Sequence, residues 1–381
     1  MTIPERVNHL ITPFLKRRIA RKFNAKLIPF KQSRPELFKP VDKSVVEKFC
    51  KLWGRLGLPV TEDWLRFYSN LSGIIDYRYL PEDLYITRVE RVLNNCNRAG
   101  GEAEDKNQYS KFIQPEHQPR FVLRYIRGLF FDEEYKFVSD AQAKDILSKN
   151  VGDLIGKIAI ESGGGHGIKG LAFNVDGYYD KAGMKMTTEW IRKNTESYVI
   201  QERVEQCDFS AQFNRPSANT CRIVTFRRPW NGVTSVIKAG MRFGASKDVF
   251  DNMSSGGCGI CICADGCLGQ IARNDLDPGL LEFTEHPTSH VTFAGQKHPY
   301  YEKMCEVACS YAERIPNFNL ISWDFIADKN GGIKILEINE TTQSTDWLQY
   351  DFGPFFGEET EELVDWCATY QRYDNFKHFR S

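Results

Sequence analysis

Ile321-Ser322-Trp323-Asp324-Phe325-Ile326 and Ile333-Lys334-Ile335-Leu336-Glu337-Ile338-Asn339-Glu340 read as two apolar strands that carry oxygen-bearing side chains at intervals. The segment between them, Ala327-Asp328-Lys329-Asn330-Gly331-Gly332, is rich in turn residues. A hairpin is therefore expected, with Asp324 opposite the Glu337 end of the second strand. Period-two alternation then puts Glu337 and Asn339 on one face and Leu336 and Ile338 on the other. Two carboxylates and one amide oxygen form a set of hard donors of the kind Mg²⁺ takes when it shares its octahedron with substrate phosphates. Taken alone, the hairpin reads equally well as a polar strand face at a sheet edge.

The chain has 381 residues, a length on the scale of two or three units of about 100–200 residues each. Its 50 Lys and Arg balance 50 Asp and Glu, so no overall basic field argues for a nucleic-acid partner. The 11 cysteines are odd in number and scattered, and no apolar run with a small-residue cleavage site opens the sequence. That pattern points to a reduced cytoplasmic protein with free thiols. No stretch approaches the ~18 consecutive apolar residues of a membrane span. Val7, Leu10, Ile11 and Phe14 fall at helical spacing, with Lys16, Arg17, Arg18, Arg21 and Lys22 behind them. Residues 1–26 thus form a basic amphipathic helix that either lies on an anionic membrane surface or packs on its own protein. Further helical patterns at Val45-Val46-Phe49-Cys50-Trp53 and Leu84-Ile86-Val89-Val92-Leu93 make residues 1–104 a mostly helical N-terminal region.

From about Asp105 short strands alternate with helices, at Arg120–Leu123, Ala141–Ile146 and Gly156–Ile160, as in an α/β region. Later strands at Tyr198–Glu202, Cys221–Phe226, Val233–Arg242 and Gly259–Cys263 are joined by turns such as Trp230-Asn231-Gly232 and Ala264-Asp265-Gly266, which favour antiparallel pairing. The fold class is α+β: a first lobe over residues 105–198, then a second over 199–381 with an antiparallel sheet covered by helices, one of them Tyr301–Arg314. Cys258, Cys261, Cys263 and Cys267 have a spacing that invites a zinc reading. If Asp265-Gly266 is a two-residue turn, Ala264 pairs with Cys267, which puts Cys267 on the face opposite Cys261 and Cys263. The cysteines then read as small buried hydrophobes.

The second chemical signal is Lys157-Ile-Ala-Ile-Glu-Ser-Gly163-Gly164-Gly165-His166-Gly167-Ile-Lys-Gly170. A strand that ends in a glycine run lets backbone N–H groups close on phosphate oxygens, and a lysine on that strand adds a point charge. A phosphate loop of the Gly-Lys-Ser/Thr type fails because Ile168 follows Gly167. The dinucleotide fingerprint fits by letter, yet Leu171-Ala172-Phe173-Asn174 reads as a strand where a helix is needed. Asp351-Phe352-Gly353 spells a kinase metal motif, but no His-Arg-Asp loop precedes it. The plain alternative for the whole run is a mobile surface turn, and for His166 a solvent-facing side chain.

In chain order these pieces resemble the ATP-grasp superfamily, and most closely its sugar-transfer-associated branch, over roughly residue 105 to the C-terminus. The resemblance implies two α/β lobes that clasp ATP, preceded here by the helical N-terminal region. It gives Lys157 and the Gly163–Gly167 run to the phosphates, the Gln201-Glu202-Arg203-Val204 hinge to adenine, Asp208 to the ribose, and Asp324, Glu337 and Asn339 to Mg²⁺. The middle stretch resembles the RimK-like ligases: Arg222, Arg242 and Asn252, the last followed by Ser254-Ser255-Gly256-Gly257, take catalytic places. Planar arginine forks suit transferring phosphoryl groups. Two features depart from the family pattern. Lys157 is followed by Ile158 in place of proline, and Ser322 stands where some ligases carry an arginine, so the oxyanion role falls to Arg222, Arg242 or backbone groups.

The activity this resemblance implies is ATP-dependent carboxylate–amine ligation through an acylphosphate. The carboxylate would belong to a sugar of a surface polysaccharide, and the acceptor would be an amino acid or other amine. Two alternatives stay open, a phosphotransferase acting on a hydroxyl and a non-catalytic nucleotide-binding module. Candidate linings for the acceptor are the Asp248–Gly257 loop, the Thr341–Thr345 segment and the helical N-terminal region.

Overall fold

The structure is a computed structural model, and it describes residues 3–94, 105–150, 152–160, 168–174, 177–246, 251, 253 and 256–370, with side chains from Pro13 onward. Gly163, Gly164, Gly165, His166, Gly167 and Asn252 lie outside the described residues, as do Ser254 and Ser255.

Helices Ile3–Asn24, Leu27–Ser33, Lys43–Gly54 and Glu62–Ser72 open the chain, followed by a helical stretch from Glu82 to Asn94 with a π turn at Tyr85–Val89. Local chemistry sets their ends. Asp42 caps Lys43–Gly54 by accepting from the Ser44 amide, and Glu62–Ser72 stops at Gly73, whose φ of 73° suits a residue without Cβ. Ile19 and Phe23 of the first helix pack on this region, while Phe14 is 69% exposed. Val7, Leu10 and Ile11 lie outside the described side chains.

The first sheet is built from β1 (Phe121–Ile126), β2 (Leu129–Phe131), β3 (Phe137–Val138), β4 (Leu154–Ile158), β5 (Ile168–Asn174), β6 (Gly177–Tyr179), β7 (Lys185–Met186) and β8 (Ser197–Glu202), in the order β3-β2-β1-β8-β4-β5-β6-β7. The second contains β9 (Cys221–Arg227), β10 (Thr234–Phe243), β11 (Cys258–Ile262), β12 (Ala272–Asn274), β13 (Leu281–Phe283), β14 (Leu320–Ala327) and β15 (Ile333–Asn339), in the order β13-β12-β11-β10-β9-β14-β15. Every strand pair among the described residues is antiparallel. The alternation of strand and helix expected from Asp105 is present, and its strands pair antiparallel. Ala141–Ile146 belongs to helix Asp140–Lys149, held by a Ser139–Gln142 capping box, and it connects antiparallel strands. β8 carries the first sheet across position 198/199 to Glu202.

Alternation along the second sheet separates two cores. Ile223, Met241, Trp323 and Phe325 face helix Tyr301–Arg314, whose Met304, Val307, Ala308 and Tyr311 cover them. Val224, Phe226 and Leu320 join the other core with Phe49, Trp53, Trp64, Tyr68 and Tyr85 of the N-terminal helices. The C-terminal stretch packs back onto the same helices through Trp347, Tyr350, Phe356, Leu363 and Val364. Trp347 lies so close to Gly240 and Gly259 that a Cβ at Gly240 would strike its ring.

Asn94 joins the helical region to the sheet. Its side chain donates to the carbonyls of Leu320 (2.7 Å) and Glu340 (2.5 Å) and accepts from the amides of Asn319 (3.0 Å) and Leu320 (2.9 Å). Asn94→Ala should strand these buried backbone groups and lower unfolding free energy by about 1–3 kcal/mol, which urea titration would read. An unchanged midpoint would show that the junction is not under load.

Candidate active site

β14 and β15 pair as the hairpin requires, with Asp324 opposite Glu337 and Ser322 opposite Asn339. The register slips between Asp324 and Phe325, whose partner is Ile335, so Leu336 is the extra residue of a bulge. This corrects the simple alternation. Ile338 is buried in the core, but Leu336 lines the same cavity as Glu337.

Asp324 is 1% exposed and sits directly across from Arg222 on β9. Arg222 grips it with a fork, Nε to Oδ1 and Nη2 to Oδ2, both 2.8 Å. Arg242 of β10 donates to the same Oδ2 at 3.0 Å and to Thr220 Oγ1 at 3.0 Å. Burial by itself would raise the Asp324 pKa. The charges of Arg222 and Arg242 outweigh it and, with hydrogen bonds from Arg222 and Asn339, hold the group at about 2. Asp251 completes the cluster by accepting from Thr220 N at 3.0 Å, with Arg242 Nε at 3.5 Å. Burial pushes its carboxyl up, against the pull of Arg242.

Glu337 pairs with Lys106, Nζ to Oε1 at 2.9 Å. Sequence reasoning missed Lys106. It follows Asp105, which caps the short helix Lys106–Lys111, and its amide donates to Ala159 O at 3.0 Å at the end of β4. From the same turn Tyr109 Oη accepts from Ile338 N on β15 at 3.0 Å, so this turn links the two sheets. The only local signal was a capping aspartate before a lysine. Lys157 on β4 is buried and makes no hydrogen bond or ion pair among the described residues. Burial, then the neighbouring charge of Lys106, bring its pKa down to about 8, while Glu337 and Asp324 pull the other way.

Lys106, Lys157, Arg242, Asp251, Asp324 and Glu337 line a cavity of about 920 Å³ between the sheets, within the roughly 300–1,000 Å³ usual for small-molecule sites. Ile155, Ile326 and Leu336 give it apolar walls. Gln201, Glu202 and Val204 also line it, as does Asp208, exposed at the start of the short helix Asp208–Ala211. The hinge is braced: Glu202 accepts from Arg120 Nη2 at 2.6 Å, and Gln206 Nε2 donates to the carbonyls of Asn214 (2.7 Å) and Ser217 (2.6 Å). The structure thus brings Lys157, Gln201, Glu202, Val204, Asp208, Arg242, Asp324 and Glu337 to one cavity. Asn339, 3.5 Å from Ser322 O, adjoins Asp324, and Arg222 reaches the cluster from behind it.

The donor set fits a hard divalent cation, since Asp324, Glu337 and Asn339 offer oxygens on paired strands. Both carboxylates already draw cations from the protein. Among the described residues no group of three or more His, Cys, Asp or Glu forms a metal site. The cysteine hairpin differs from expectation. Cys263 N donates to Cys267 O, and Ile262 bridges Leu268, so Cys263 faces Cys267 across a three-residue turn. Cys258 is in one core, whereas Cys261 Sγ lies 3.3 Å from Trp347 O on the opposite face.

A family model described as sugar-transfer associated ATP-grasp matches residues 117–353, well over half of the chain, and the chain belongs to this family. The fold is accordingly ATP-grasp, of class α+β. Similar solved structures include an ADP complex of N5-carboxyaminoimidazole ribonucleotide synthetase (13% identity, TM-score 0.35, covering 64% of this chain and 46% of that one). Two others are the VanG D-Ala:D-Ser ligase from Enterococcus faecalis (12%, 0.39, 70% and 61%) and the ATP-grasp ligase PsnB with a precursor variant, Mg and ADP (10%, 0.38, 72% and 61%). The chain therefore spans from about half to three fifths of the length of these structures. No curated protein matches it.

Asp324→Asn should leave the buried Arg222 and the half-buried Arg242 without their shared counter-charge and destabilise the fold by about 3–5 kcal/mol, which denaturant unfolding would measure. Because the folded-state pKa lies below the ordinary carboxylate value, this stabilisation is present at neutral pH. It is lost as pH falls from about 4 through about 2. A variant as stable as the parent, with the same acid limb, would refute the reading.

Proposed function

We propose that this chain is an ATP-dependent carboxylate–amine ligase that forms an amide through an acylphosphate, joining an amino acid or other amine to a carboxylated sugar of a surface polysaccharide. The observation that carries the reading is the Arg222–Asp324–Arg242 cluster beside Glu337, Lys106 and Lys157 at the wall of the inter-sheet cavity. Adenine would lie against Ile155, Ile326 and Leu336 with its edge toward Gln201–Val204, and the ribose toward Asp208. Lys157 and Lys106 would meet the phosphates, together with the Gly163–Gly167 run that sequence puts after β4.

Asp324, Glu337 and Asn339 would hold Mg²⁺, which when bound neutralises phosphate charge and orients the phosphates. Arg222 and Arg242 would orient the substrate carboxylate for attack on the terminal phosphorus and balance charge on the tetrahedral centre when the amine enters. Asn252 keeps its sequence-based catalytic place within the same proposal. The family's association with sugar transfer supports a carboxylated sugar as acyl donor.

Residues 1–26 are proposed to touch an anionic membrane surface. Arg17, Arg18, Arg21 and Lys22 are exposed near Phe14, and among the described residues no helix is long and apolar enough to cross a membrane.

Glu337→Gln, at a side chain 27% exposed, should keep the fold and lower turnover about 10²-fold or more, read as ADP release from ATP, Mg²⁺ and pools of carboxylates and amines. Release that needs both substrate classes supports ligation, and phosphate recovered on a hydroxyl would overturn it. Co-sedimentation with phosphatidylserine vesicles should be lost on deleting residues 1–26, and unchanged binding would end the membrane proposal.

A further inference from the structure

The face of the second sheet that carries Arg222, Arg242 and Asp324 also faces the N-terminal helices, because Val224 and Phe226 follow Arg222 at period two into the helical core. Between sheet and helices lies a second cavity, of about 340 Å³. Arg242 lines both this cavity and the larger one, and Arg222 lines the smaller. Each guanidinium keeps its Nη1 free of hydrogen bonds among the described residues. Across from them the walls are Trp64, Phe67, Trp347 and Tyr350, together with two carboxylates, Asp275 and Asp346.

These carboxylates are under-compensated. Asp346 is 8% exposed and lines the cavity. Its Oδ1 accepts from Trp347 N at 3.1 Å, and its Oδ2 has Lys26 Nζ at 3.8 Å, beyond hydrogen-bond length. Asp275 accepts from Tyr350 Oη at 3.2 Å. Behind them is a third carboxylate, Glu82, 1% exposed and bonded to Thr345 Oγ1 at 2.6 Å. Among the described residues Lys26 is a cation that bears on all three. Burial, then the charge of Asp346, raise Asp275 to about 7 and Glu82 to about 8. A cationic guest would restore the balance that one lysine does not.

We propose that this smaller cavity holds the amine substrate, received as an ammonium by Asp275 and Asp346, with the arginine pair standing between it and the nucleotide cavity. The proposal rests on the ligase reading for the reaction, though not for the binding. In the reaction the ammonium gives one proton to a carboxylate. The nitrogen lone pair then attacks the acyl carbon of the acylphosphate, the bond from that carbon to the phosphate oxygen breaks, and its electron pair leaves on phosphate. The second nitrogen proton passes to the departing phosphate, which leaves a neutral amide. A carboxylate that titrates near neutrality can both hold the ammonium and take its proton.

The test is saturation-transfer difference NMR on the full chain, with glycine, L-lysine and D-glucosamine as probes beside their N-acetyl counterparts. At least one amine should bind and its N-acetyl form should not, and affinity should fall at least tenfold in both Asp275→Asn and Asp346→Asn. ATP binding measured on the same samples should be unchanged, which also shows that the variants are folded. If Asp346→Asn does not fold, Asp275→Asn, the more open of the two, decides. Equal binding of the N-acetyl forms, undiminished binding in the variants, or no binding by any amine would overturn the proposal. Failure of the parent chain to bind ATP would overturn the ligase reading and leave amine binding in the cavity standing.

Discussion

Three charged side chains from three adjacent strands meet on one face of the second sheet, and their mutual neutralisation is the constraint on which the surrounding structure depends. Asp324 cannot be buried as a carboxylate without Arg222 and Arg242, and Arg222 cannot be buried without it. The strands must therefore stay in the register that sets Asp324 across from Arg222 and Arg222 across from Gly240. A one-residue slip would carry the charges into the core under helix Tyr301–Arg314 and turn Ile223 and Trp323 out of it. The cluster specifies the sheet as much as the sheet positions the cluster.

Around that point the molecule is organised as three walls. The first sheet reaches the cluster through the Lys106–Lys111 turn, which is tied to β4 by Lys106 N and to β15 by Tyr109 Oη. The N-terminal helices and the Trp347–Tyr350 turn close the opposite side, with Trp347 seated beside Gly259 and against Gly240, where a Cβ would strike its ring. Among the cavities that result, one lies between the sheets and one beneath the helices, and Arg242 lines both. The N-terminal helices thus form part of the wall of the smaller cavity.

Much of this was legible in the chain. The hairpin, the Tyr301–Arg314 helix and the strands from Tyr198 onward announce themselves by turn residues and by periodicity, which are local properties. Local signals failed where pairing decides geometry. Leu336 reads as a core residue until the bulge turns it into the cavity, and Cys267 reads as lying on the far face until a three-residue turn sets it opposite Cys263. Lys106 carries no periodic or motif signal, because its place follows from a contact with Glu337, 231 positions later in the chain.

The sequence by itself determined the class of fold, the order of the elements and the residue types available for an oxygen-rich, arginine-backed site, because turn chemistry, alternation and side-chain character act over a few residues. Only the tertiary structure decided which of those residues meet. The pairing of Asp324 with two arginines, the reach of Lys106 to Glu337, and the cavity that Asp275 and Asp346 share with Trp64 all join segments far apart in sequence. Such contacts are fixed by strand register and by the burial of charge, and neither can be read from a single segment.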